Sequence, residues 1–171
     1  MLALPTSGSD AEPQYAVLGR ALSFASSFEF DCRMLAVNLT LRDPSLDGAP
    51  IEQVAKVLQA AAVGPLGRNH ERMVKDLRLS ESAEDWLATA RDARNFIAHQ
   101  AGEEFESKLA SPEEWQQWLS TLKTKVQALA VGKVAVTILL SRVSSVPRPT
   151  PEAIDLFIAN ASGWVLHRTG G

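Results

Sequence analysis

"SPEEWQQWLSTLKTKVQALAVGKVAVTILLSRVS", residues 111–144, opens on the clearest helix start in the chain. Ser111 stands at the N-cap, where a hydroxyl accepts an otherwise unpaired backbone N–H. Pro112 follows at the first helical position, and Glu114 completes a capping-box pattern. From that start the spacing predicts one long helix reaching Ser144. "VPRPTPE" (146–152) then reads as a linker, and Thr150-Pro151 starts a last short helix.

Upstream, Phe24, Phe28, Asp31, Leu35 and Leu39 recur at spacings of four, three, four and four, which is one helical face. The pattern runs from about Glu12 to "RDPSLDGAP" (42–50), a turn-rich stretch with two prolines and a glycine. A second helix is predicted over 51–63, broken by "GPLG" (64–67), and "RNHERMVKDLRL" (68–79) reads as helical again. Ser80 is placed as an N-cap, with Glu81, Glu84 and Asp85 in the first turn, where the helix dipole favours acids. Period-two alternation and internal repeats are not evident. The predicted class is all-α, a bundle of about five or six helices. The boundaries expected are a disordered N-terminus over 1–10, the helical bundle over 11–146, and a C-terminal extension over 147–171 with a short helix and a frayed tail.

Composition narrows the function classes. With 46% hydrophobic and 22% charged residues among 171, the chain reads as one soluble globular domain. A net charge of −3 argues against coating nucleic acid by bulk charge but allows a local basic patch. The single cysteine, Cys32, excludes an intrachain disulfide and a cysteine zinc site, and reads as a small buried hydrophobe. The other histidines, His70 and His167, stand alone. No metal centre, cofactor loop or serine elbow is legible, so neither metal nor cofactor is expected. The start of the chain lacks the basic and apolar runs of a signal peptide. The longest apolar run, "VAVTILL" (134–140), is too short to cross a bilayer, so a cytoplasmic protein without a membrane role is expected.

The polar surprise is "ARDARNFIAHQAG" (90–102). At about 100° per residue, Trp86, Ala90, Ala93 and Ile97 share one face, the expected core side. Asn95 and His99, four apart, point away from it, and Arg91 lies beside them. Arg94 sits at the edge of that arc, within reach of it. Gly102 is expected to stop the helix. A cation, an amide and an imidazole on one surface suit RNA cleavage without a metal. The imidazole has the right pKa to take the 2′-hydroxyl proton, an arginine fork matches the phosphate, and Asn95 either orients His99 or contacts the phosphate. One copy offers one histidine, whereas a two-fold homodimer offers an acid as well as a base.

"RNFIAH" (94–99) resembles the R-N-x-x-x-H form of the R-x(4–6)-H signature of HEPN domains, small all-α domains of prokaryotic defence and toxin–antitoxin systems. "GPLGRNHERMVKDL" (64–77) is similar to a segment that precedes the motif in some HEPN-like proteins, and a fainter similarity links the chain to the helical mannitol operon repressor family. The resemblance implies Arg94 and His99 as the catalytic pair with Asn95 accompanying them, and a site at a homodimer cleft. It also implies an endoribonuclease of the toxin or defence type, with a cognate antitoxin as partner. Ala101 stands where some HEPN toxins carry a tyrosine that a partner enzyme modifies, so that mode of neutralisation is not implied.

Other residues admit more than one reading. Arg91 is expected to add charge to an RNA-binding cleft. Asp31 lies on the apolar face, where a carboxylate needs a partner: either Arg91 or Arg94 is that partner, or the first helix is rotated a little and Asp31 sits at its edge, with Glu29 a rival carboxylate. Arg68, Arg72, Lys75 and Arg78 form a basic stripe interrupted by Glu71 and Asp76, read as a solvated face. Trp115 and Trp118 read as core or dimer packing. The alternative function is a non-catalytic regulatory or adaptor module, binding a protein or a nucleotide, in which the same patch packs rather than cleaves.

Overall fold

The structure, a computed structural model, describes residues 12–64, 75–109 and 111–166. Among these, helix dominates and no strand occurs. The six longest α-helices are α1 (Glu12–Leu41), α2 (Ile51–Val63), α3 (Glu81–Asn95), α4 (Ala101–Lys108), α5 (Pro112–Val143) and α6 (Pro151–Leu166). The all-α bundle of five or six helices is therefore what the chain forms.

Helix α5 is the axis of the bundle, with α1, α3 and α6 packed along it. Its 32 residues make it about 48 Å long, which matches the 30-residue α1 beside it. Leu122, Val126, Leu129 and Val136 of α5 are fully buried against Phe28 and Leu35 of α1 and Leu87, Ala90 and Ala93 of α3. This central position accounts for its composition: α5 is the one described helix long and apolar enough to span a bilayer.

The α5 start behaves largely as its sequence dictates. Ser111 Oγ accepts the Glu114 backbone N–H at 3.4 Å, with Pro112 in the first turn. The reciprocal bond differs from expectation, because the Ser111 hydroxyl donates to Glu113 Oε2 at 2.9 Å. Glu113, also held by its own backbone N–H, sits below the usual carboxylate range. Ser80 occupies the N-cap of α3 but its side chain makes no capping bond, pairing instead with Ser82 Oγ at 3.3 Å. Gly48, at φ +76°, supplies the left-handed turn that lets the chain reverse between α1 and α2.

Trp115 and Trp118 stack at 4.9 Å and both meet Phe105 of α4 edge-on, so they are core residues. Cys32 is buried as expected. Trp86 is not on the core face: it is 53% exposed, and Leu87, one residue on, takes the buried place. Gly102 does not stop the helix either, for the chain continues helically to Lys108. Helix α6 contributes Ala161 and Val165 to the same core, and Arg20 of α1 donates from Nε to Val165 O at 2.9 Å. Residues 1–10, Arg68, His70, Glu71, Arg72 and His167 lie outside the described residues.

Gly132 fixes how closely α3 and α5 approach. A Cβ at that position would overlap Ala90 Cβ and lie 3.1 Å from Phe28 Cε2. Three helices therefore converge on a point where only a hydrogen atom fits.

Candidate functional site

The polar segment is carried by α3 and by the turn that follows it. Residues Phe96–Gln100 form a π-helical turn, and the Ala101 N–H donates to Phe96 O, an i→i+5 bond. In a straight α-helix, residues 94 and 99 would diverge by about 140°. The wider turn narrows that angle and brings His99 back toward the side of Arg94. It also joins α3 to α4 without a break, so His99 stands mid-helix rather than at a terminus.

The residues of the segment separate by depth. Ile97 is fully buried and anchors the turn, while Asn95 and His99 are exposed. His99 makes no side-chain hydrogen bond among the described residues. Arg94 is different. Its guanidinium reaches α1 and pairs with Glu29 through Nη2, while Nη1 donates to Asn95 Oδ1 at 3.1 Å. Asn95 thus orients Arg94 rather than His99. Both members of the pair are largely covered, with side chains 20% and 16% exposed.

Glu29 is shared. Its second oxygen accepts from Arg33 Nη2 at 2.6 Å, one turn along α1. Two guanidiniums on one carboxylate leave a net positive charge. Among the described residues Arg91 binds its exposed neighbour Asp92 alone, at 3.2 Å, a surface pair that competes weakly with a ligand. Lys125 of α5 lies 5.4 Å from the Phe96 ring centroid, adding a cation beside the π turn.

The structure thus brings Arg94 and Asn95 together, and attaches Glu29 and Arg33 to them. The carboxylate serving Arg94 is Glu29, not Asp31. Asp31 pairs with Lys133 of α5, on the opposite edge of the buried stripe of α1. The reason is rotational: residues two apart on a helix diverge by about 200°, so one helix cannot present both carboxylates to α3. Arg33 was not singled out from the sequence, although its place four residues after Glu29 on one helix carried the signal. Lys125 carried no sequence signal, because its place depends on how α5 packs. Lys75 and Arg78 are described, and Arg78, at φ 46°, follows the helical residues 75–77. Among the described residues, no three His, Cys, Asp or Glu side chains cluster as metal ligands.

No protein-family model, no curated protein and no solved structure matches this chain.

Proposed function

We propose that the chain is a HEPN-like endoribonuclease of the toxin or defence type, acting in the cytoplasm as a homodimer and cleaving RNA without a metal. The observation that carries the reading is the π turn, which narrows the angle between a partly covered Arg94 paired with Glu29 and an exposed His99 that makes no side-chain hydrogen bond among the described residues. Asn95 fixes the guanidinium plane, and Arg33 keeps the local charge positive after Glu29 is counted.

In this reading His99 takes the proton of the 2′-hydroxyl as that oxygen attacks the phosphorus. Arg94 leaves Glu29 for the phosphate, where a fork of two N–H donors stabilises the charge gathering on the non-bridging oxygens. The bond to the 5′-oxygen breaks, and His99 of a second copy returns a proton to it. The products are a 2′,3′-cyclic phosphate and a free 5′-hydroxyl. Arg91 and Lys125 hold flanking phosphates. Apolar surface beside the patch supports a second copy: Phe30, 61% exposed, and Met34 flank Glu29 and Arg33 on α1. A cognate antitoxin covering the same surface completes the proposal.

The test is cleavage of a mixed RNA by the purified chain in excess chelator, with end-group analysis and sedimentation. Wild type is expected to be a dimer that yields cyclic-phosphate ends, and His99→Ala to lose cleavage while remaining folded and dimeric. A monomer, or cleavage that survives His99→Ala, overturns the reading.

The Arg94–Glu29 pair favours a second reading, a non-catalytic adaptor in which that arginine locks α3 to α1. There Arg94→Ala lowers the melting temperature, and wild type leaves RNA intact.

A further inference from the structure

On the far edge of α1 from the RNFIAH patch, helix α6 leaves a cleft over α1 and α5. Two adjoining cavities of about 360 and 570 Å³ share Lys133, Ala153 and Phe157 as walls, a size range that suits a small organic ligand. The larger is lined by Phe24, Phe157 and Trp164, whose rings lie 6.1 and 6.3 Å from that of Phe24. Trp164 is 53% exposed, with its indole open to the cleft.

A few polar groups interrupt this mostly apolar lining. Lys133 Nζ donates to Ser27 Oγ at 2.8 Å and to Asp31 Oδ2. An ammonium has three N–H groups, so one is left over. Asp31 Oδ1 likewise has no partner among the described residues. Asp31 borders the smaller cavity and Trp164 the larger, and the Phe157 ring walls both; the spare Lys133 N–H, whose ammonium also faces the Phe24 ring at 6.0 Å, and the spare Asp31 oxygen therefore lie next to an aromatic wall. A carboxylate ligand would meet the charge of Asp31, and an alkyl chain would leave both groups unpaired. A flat ring that presents an acceptor next to an amino group satisfies both and stacks on the wall.

The geometry points to a nucleobase site: Lys133 donates to a ring nitrogen, Asp31 accepts from the neighbouring amino group, and Trp164 and Phe157 stack on the ring. Asn160, exposed and lining the larger cavity, would serve the ribose hydroxyls. The base belongs either to a free nucleoside or to an RNA strand. The site stands apart from the RNFIAH patch and does not rest on the nuclease reading.

The test titrates adenosine into the full chain and follows the indole N–H resonances of its four tryptophans. Trp164 is expected to shift saturably while Trp86 stays still. Purine riboside, which lacks the amino group, should bind at least tenfold more weakly, and Asp31→Asn should weaken adenosine by a similar factor. Arg94→Ala should change nothing here. A 2′-O-methyl tetra-adenylate, which resists 2′-hydroxyl attack, identifies the source. Binding at least tenfold tighter than adenosine assigns the site to a strand, and equal or weaker binding to a free nucleoside. No shift of Trp164 in wild type, an equal response to purine riboside, or a shift produced by decanoate and not by adenosine, overturns the proposal.

Discussion

Replacing Gly132 by alanine tests the packing that holds α3, and with it the RNFIAH segment, in place. Alanine in a helix interior gains about 0.8–1 kcal/mol over glycine from propensity alone. Against that, the new methyl would overlap Ala90 Cβ and press on Phe28 at 3.1 Å. Both Cβ atoms are fixed to helix backbones, so no side chain can swing aside, and α3 and α5 must separate. Overpacking of this kind costs about 1–3 kcal/mol and sometimes more. An overlap of two backbone-fixed atoms belongs in the upper part of that range, about 2–3 kcal/mol, so after the propensity gain the expected net loss is about 1–2 kcal/mol. At about 2–4 °C per kcal/mol for a chain of this size, thermal unfolding followed by circular dichroism should show a fall of about 2–8 °C. The partner experiment is Ala90→Gly, which removes the opposing methyl. In that background Gly132→Ala should become neutral or stabilising, giving a coupling energy of about 1–3 kcal/mol. If Gly132→Ala raises the melting temperature with Ala90 in place, propensity has won and the close approach of these helices is not what the fold depends on.

Glu29→Gln removes the charge that two guanidiniums share while keeping the shape of the side chain. The pair is largely covered, so a loss of about 1–2 kcal/mol is expected in urea denaturation. On the proposed function, RNA affinity rises in the same variant, and a fall in affinity would count against that reading. Cys32 offers a pH test. Burial first, then the nearby Asp31 charge, pushes its thiol up to about 12 from an ordinary 9.0. The unfolded thiol ionises first, so the stabilisation is complete below about pH 9. It then falls by about 1.4 kcal/mol per pH unit until about pH 12. Between pH 8 and 10.5, wild type should lose about 2 kcal/mol more than Cys32→Ala; parallel losses in the two proteins would show that the thiol is not shielded.

Much of the fold was legible because its signals are local. The buried stripe of α1, the cap at Ser111 and the prolines at 112 and 151 act within one or two turns of chain, and each leaves the spacing of 3.6 on the residues that respond to it. The errors arose where a local rule lost to packing. Gly102 looks like a stop, yet the chain runs on through the π turn so that Ala101 and Phe105 are buried. Trp86 is large and apolar, yet Leu87 fits the space beside α5, and only one of two consecutive residues can face it.

The candidate site divides along the same line. Sequence alone determined that the segment from α3 into the following turn carries an arginine, an asparagine and a histidine on a helical surface, and that a carboxylate on α1 needs a cation. Only the tertiary structure decided which cation goes where. Arg94 meets Glu29 across 65 residues of sequence and Lys133 meets Asp31 across 102, and such pairings depend on the rotation of whole helices about their axes. The π turn belongs there too, since an extra residue in one turn changes which faces align without changing the composition. Short-range forces choose helix or coil residue by residue, but the orientation of one side chain toward another on a distant helix is fixed only when the shared core closes.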